Sequence, residues 1–205
     1  MLFLVCALMQ GQGQGPQSEP AGETSQSTKA AQRSGKEASM RRPVAAGTAA
    51  TASLTAEEKA LVAAVSRNHH LAMAFLERVV NINSGTLHLE GVREVGRVFG
   101  EAFEEIGFET RWISMPDSMN RAGHLFASIE GTRGKRLLLI GHLDTVFEKD
   151  SPFQRFTRLN DSIAHAPGGN DMKGGDVIVL YALKALQEQG LLEDARIVVA
   201  FTGDE

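Results

Sequence analysis

The last third of the chain sets an imidazole and several carboxylates at short intervals, with glycines between them. His142 and Asp144 stand in GHLDTV, Asp171 in GGNDMKGG, and Asp204 and Glu205 in FTGDE. In an extended chain, residues two apart point to the same side, so the His142 ring and the Asp144 carboxylate can meet. A carboxylate beside a ligating histidine is the usual device that holds its ring and tautomer. The one cysteine, Cys6, can neither close an intramolecular disulfide nor build a thiolate zinc site. A metal here would be held by nitrogen and carboxylate oxygen, the ligand set of a divalent hydrolytic centre.

Each motif also has a plainer reading. His142-Leu143-Asp144 suits a polar surface turn about as well, and Asp171 among its glycines suits a helix entry where the dipole favours an acidic side chain. A solvated terminus is the plain reading of Asp204 and Glu205, and a poor one, because acidic residues just past a buried strand would face the same edge as His142. A phosphate loop does not fit, because G-x-x-x-x-G-K-[ST] needs Lys and then Ser or Thr after the glycines. Lys173 instead precedes Gly174 and Gly175.

The elements that must position these groups are legible in the pattern of apolar residues. Leu137 to Ile140 (LLLI) and Ile197 to Phe201 (IVVAF) are continuous apolar runs, expected of central strands buried on both faces. Between them lies a long loop, with a small hairpin turning at Asn160 and Asp161. A helix follows over Gly174 to Gln189, apolar almost all round from Val177 to Leu183 and ended by Gly190. Strand, helix, strand is a parallel crossover, and in open parallel sheets functional groups gather beyond the carboxyl ends of the strands. That topology puts His142, Asp144, Asp171, Asp204 and Glu205 on one edge.

Upstream, Thr55 with Glu58 forms a capping-box signal. The pattern beyond it, through Leu61, Val65, Leu71 and Phe75 to about Val80, reads as one long helix or two short ones. A second helix runs from Leu89 to about Ile106, with Val92, Val95, Phe99 and Phe103 on one stripe and Gly107 as its stop. Strands are expected at Phe108 to Ser114, His124 to Glu130 and Arg136 to Ile140, with Gly131 to Lys135 as the turn between the last two.

The 205 residues suffice for one domain or part of a larger one. With 21 basic and 25 acidic residues, a net charge of -4 and a pI near 5.9, there is no basic footprint for nucleic acid. The apolar run from Leu2 to Met9 is too short to span a bilayer but has the length of a signal-peptide core. Residues 1–15 therefore read as a signal peptide and the product as periplasmic or secreted, with the cytoplasm as the alternative. Residues 16–53, rich in Gln, Gly, Ser, Thr, Ala and Pro, bury too little to offset chain entropy and read as a disordered linker.

Taken in this order and near these intervals, GHLDTV, GGNDMKGG and FTGDE resemble the M20-type zinc metallopeptidases and deacylases grouped with glutamate carboxypeptidase. The resemblance covers about Thr55 to Glu205. It implies an α/β fold, a mixed, largely parallel sheet flanked by helices, with residues 54–205 as the amino-terminal part of a zinc peptidase catalytic domain. It implies that His142 is a metal ligand, that Asp144 steadies its imidazole, that Asp171 bridges two metal ions and that Glu205 is the general base. Two Zn2+ ions are implied, with Co2+ or Mn2+ as alternatives, acting on a small peptide or N-acyl amino acid in a homodimeric parent. A cis peptide bond between Asp171 and Met172 is implied as well.

A second Glu after Glu205, later acidic and His ligands, and an inserted smaller domain belong to the family pattern and have no counterpart in these residues. The expectation is a truncated catalytic domain, a fragment or a shortened product. By itself it would bind divalent metal weakly and hydrolyse nothing at a useful rate, and its last strand would be left uncovered. The rival readings are a non-catalytic remnant that binds a metal or a partner at the sheet edge, and an exported binding module without metal.

Overall fold

In the computed structural model, which describes residues 53–205, Thr55 and Glu58 exchange the two hydrogen bonds that their spacing predicts. The Glu58 N–H donates to Thr55 Oγ1 at 3.2 Å and the Thr55 N–H donates to Glu58 Oε2 at 2.8 Å. This box opens α1 (Ala56–Val80), a single helix rather than two. Next come α2 (Leu89–Glu104), β1 (Glu109–Ile113), β2 (His124–Glu130) and β3 (Leu137–His142). A small hairpin of β4 (Thr157–Arg158) and β5 (Ala164–His165) leads to α3 (Gly174–Glu188) and β6 (Arg196–Thr202). Gly107 and Gly190 take φ of 88° and 68° just past α2 and α3, where a side chain would be strained. The expected signal peptide and nearly all of the expected linker lie outside the described residues. Among those described, no helix is long and apolar enough to cross a membrane.

The main sheet has the order β1-β2-β6-β3. β3 and β6 pair in parallel from Leu137 opposite Ile197 to His142 opposite Thr202, as the crossover through α3 requires. The sheet is mixed and flanked by helices as expected, but its parallel part is this one ladder. The pairs β1 with β2 and β2 with β6 are antiparallel.

Three expectations are corrected. Gly131 to Lys135 do not fold one strand back on the other, because β6 lies between β2 and β3. Nor is β3 central among the described residues: it forms the sheet edge, with Leu138 and Ile140 60% and 65% exposed. A continuous apolar run reports how much surface a strand can bury and not which neighbours it has. Conversely the last strand is not left uncovered, since β6 is paired on both sides and Ile197, Val199 and Phe201 are buried.

The core joins the α2 stripe to this sheet. Phe99 and Phe103 meet Phe201 with ring centroids 5.3 and 5.7 Å apart, and Val177, Leu180 and Leu183 of α3 join the same cluster. Each such side chain contributes about 1.5–3 kcal/mol on burial.

Two charged residues are buried where α3 begins. Lys173 Nζ donates to the main-chain carbonyls of Val79 and Ile82, both at 2.8 Å, so a cation caps the carboxyl end of α1. Burial pushes its ammonium down to about 7, against the pull of Asp176. Asp176 is fully buried and neither carboxylate oxygen has a hydrogen-bond partner. Burial raises its carboxyl well above the usual range, while His142 and Lys173, the charged groups that face it, pull the other way.

Folding therefore keeps a proton on Asp176 that the unfolded chain releases above a pH of about 4. Stability from this group is fully present below that pH and is lost as pH rises from there. Asp176→Asn is expected to stabilise the chain by about 1–3 kcal/mol at pH 7 and by less at pH 4.5, read by urea unfolding of both proteins at each pH. An equal difference at the two pH values would contradict a buried titrating carboxyl.

Candidate metal centre

β3 delivers His142 to the carboxyl end of the sheet, and the Leu143 N–H donates to the Thr202 carbonyl at 2.7 Å, which ties the following turn to the end of β6. The His142 ring is largely buried. Its Nδ1 lies 3.1 Å from the main-chain oxygen of Asp144 and 3.5 Å from Asp144 Oδ1. The nearest acceptor is thus the carbonyl of Asp144, with the carboxylate just behind it. With Nδ1–H donating there, Nε2 is the nitrogen left to face Asp171 Oδ1, 3.1 Å away.

Asp171 comes from the loop before α3. It sits in the kinked turn Gly169–Lys173, with its own backbone extended at φ -139° and ψ 100°. The turn is entered at Gly168, φ 68°, where an added Cβ would lie 2.3 Å from the Thr145 side chain, so only glycine fits. The Asp171–Met172 peptide bond is cis, as the resemblance implied. The Asp171 side chain is 77% exposed.

Asp144 joins the parts. It is 1% exposed; its Oδ2 accepts from Thr86 Oγ1 at 2.7 Å and its Oδ1 from the Glu205 N–H at 3.2 Å. Burial opposes its charge, yet the hydrogen bonds from His142, Thr86 and Glu205 outweigh that and hold the carboxyl below its usual range. In turn the hydrogen bond that His142 donates to Asp144, helped by Asp171 and opposed by burial, raises the His142 imidazole to about 9.

A cavity of about 440 Å3 opens over these groups. His142, Asp144, Asp171 and Glu205 line one part of it and Phe147 and Phe153 another, the two rings edge to face at 5.1 Å. The structure thus brings four of the five expected residues together. Asp204 turns away from the cavity toward His124, 3.8 Å away, whose Nδ1 accepts from the Gly203 N–H at 3.4 Å.

The donors suit a divalent ion. Tetrahedral zinc with Zn–N and Zn–O bonds of about 2.0–2.2 Å puts two ligand atoms roughly 3.4 Å apart, and His142 Nε2 and Asp171 Oδ1 nearly meet that spacing, with Nδ1 already engaged. Among the described residues no three His, Cys, Asp or Glu side chains close on one point. His142 and Asp171 would hold the ion, leaving its other positions to water, substrate or further protein groups.

Thr86, Lys173 and Asp176 are the residues that sequence reasoning missed. Thr86 is 58 positions from Asp144 and looks like any loop threonine. Lys173 stands before the glycines in no motif of its own, and Asp176 looks like an acidic first-turn residue.

The chain is similar to known proteins in sequence and in fold. Residues 138–205 match the model of peptidase family M20/M25/M40. Carboxypeptidase G2 of Pseudomonas sp. (strain RS-16) is 32% identical over 157 residues, 77% of this chain and 38% of that protein. Two solved structures share the fold: the di-peptidase Dug1p of Saccharomyces cerevisiae, at a TM-score of 0.57 and 15% identity over 71% of this chain and 34% of its own, and human carnosine dipeptidase 1, at 0.57 and 18% over 72% and 34%. The chain therefore spans little more than a third of the length of these relatives.

Proposed function

The chain belongs to the M20 peptidase family, and from that membership and its site we propose that it contributes the metal-binding edge and general base of a hydrolase that cleaves the amide of a small peptide or N-acyl amino acid. The observation that carries this reading is the approach of His142 Nε2 to Asp171 Oδ1 at 3.1 Å beneath an open cavity, with Asp144 behind the ring and Glu205 beside it.

In this reading His142 and Asp171 would hold a divalent ion, Zn2+ or alternatively Co2+ or Mn2+, and Asp171 would also serve a second ion. A bound divalent ion supplies Lewis acidity that polarises the scissile carbonyl and acidifies water. Glu205 takes the proton of the attacking water on a carboxylate oxygen and returns it to the departing amine nitrogen. Asp144 keeps the His142 ring and the Glu205 main chain in fixed relation. Phe147 and Phe153 keep part of the cavity dry, and a homodimer remains part of the proposal for the whole protein.

A second reading, a metal-binding or partner-binding module without turnover, is favoured by one observation. Among the described residues no third His, Cys, Asp or Glu side chain joins His142 and Asp171 at one point, whereas catalytic zinc sites commonly use three protein ligands. The two are separated by measuring amino acid release from dipeptides and N-acyl amino acids, with zinc, after chelation and after zinc is restored. Release that requires metal is expected of the whole protein. Metal-independent release would overturn the role of the metal, and stoichiometric zinc without release would favour the second reading.

A further inference from the structure

The loop between α1 and α2 runs beside the site as a short parallel partner of the turn that follows β3. Ser84 Oγ donates to the Leu143 carbonyl at 2.8 Å, the Thr145 N–H to the Ser84 carbonyl at 2.9 Å, and the Thr86 N–H to the Thr145 carbonyl at 3.1 Å. Gly85 bridges Thr145, and a Cβ there would meet Glu148 at 2.5 to 2.7 Å, so the two segments approach too closely for any other residue. This backbone ladder fixes where the hydroxyl of Thr86 can go.

We propose that Thr86 is a positioning residue of the metal centre: through Asp144 it holds the metal ligand His142 and the main chain of Glu205 in one arrangement. The proposal rests on the reading of His142 as ligand and Glu205 as base. A carboxylate turns easily about its last torsion, which has broad, roughly two-fold minima, so partners on one oxygen alone would leave it free to swing. Here the two oxygens are held from opposite sides, Oδ2 by Thr86 Oγ1 at 2.7 Å and Oδ1 by the Glu205 N–H at 3.2 Å with His142 Nδ1 3.5 Å away.

Asp144 is 1% exposed, so water has little room to replace the hydroxyl. Thr86 Oγ1 also lies 3.4 Å from the Thr145 carbonyl, but its single proton goes to the shorter, charge-assisted contact. A β-branched side chain, stiff at χ1, suits a donor that must not wander.

The test compares Thr86→Val, which keeps shape and branching but loses the donor, with Thr86→Ser, which keeps the hydroxyl. Zinc affinity is measured by competition with a chromophoric chelator, and the Glu205 amide is followed by NMR in chain without added metal. Thr86→Val is expected to weaken zinc about 10- to 100-fold, the range for lost partners of metal ligands, and to shift the Glu205 amide resonance. Thr86→Ser should restore both.

Unchanged affinity and an unchanged Glu205 amide in Thr86→Val would overturn the proposal. Equal losses in the Ser and Val variants would overturn it too, since the hydroxyl would then not be the cause. A wild-type chain that binds no zinc would count against the metal reading alone, because the Glu205 amide would still decide the role of Thr86.

Discussion

In the whole protein, replacing Glu205 with glutamine is expected to lower the proposed amide hydrolysis by about 10^2- to 10^4-fold, the usual contribution of a positioned general base, without loss of bound metal. Glutamine keeps the length of the side chain and the main-chain N–H that donates to Asp144 Oδ1, so the site stays assembled. What it loses is the oxygen that, in the proposed reaction, would accept the proton from water and hand it to the leaving amine. The fall should therefore appear in kcat with little change in KM. Steady-state rates of amino acid release, with zinc content measured on the same samples, check this. A Glu205→Gln protein that hydrolyses at the wild-type rate would remove Glu205 from the reaction.

The second large effect is expected on metal binding. His142→Ala should weaken zinc by about 100-fold or more, because one of two protein ligands is lost and the partner that orients it is left idle. Asp171 alone, on a side chain 77% exposed, has little to hold it in place. Isothermal titration with zinc reads the change directly, and far-ultraviolet circular dichroism shows whether the fold survives. Retention of wild-type affinity in the folded variant would mean that zinc sits elsewhere. The hydrolytic role would then need other ligands.

Much of this architecture follows from local chemistry that a sequence displays. Thr55 and Glu58 announce a helix start, and α1 begins one residue after Thr55. The run of Val177 to Leu183 announces a buried helix, and α3 is one. The crossover from β3 through α3 to β6 follows from element order, and it alone brings Gly141 to Val146 and Phe201 to Glu205 to one edge. Neighbour relations were harder to read. LLLI and IVVAF look alike as text, but β6 is paired on both sides while β3 is paired on one, a difference set by long-range pairing.

At the site, spacing predicted that Asp144 could reach His142 but not how. The ring meets the Asp144 carbonyl first and the carboxylate second, a detail of the turn's backbone. Asp204 and Glu205 are adjacent in sequence, and only Glu205 lines the cavity, because Asp204 finds His124 at the start of β2. Thr86 was invisible because its role depends on a contact with a segment far along the chain. Asp176 shows the reverse case: an acidic residue in a first helical turn is ordinarily solvated, and here the sheet covers it completely.

A crystal of the chain soaked in zinc, with diffraction recorded on both sides of the zinc absorption edge, tests the metal centre most directly. An anomalous peak about 2.0–2.2 Å from both His142 Nε2 and a carboxylate oxygen of Asp171 is the predicted result. A peak bound only by other residues, or none at saturating zinc, would contradict it.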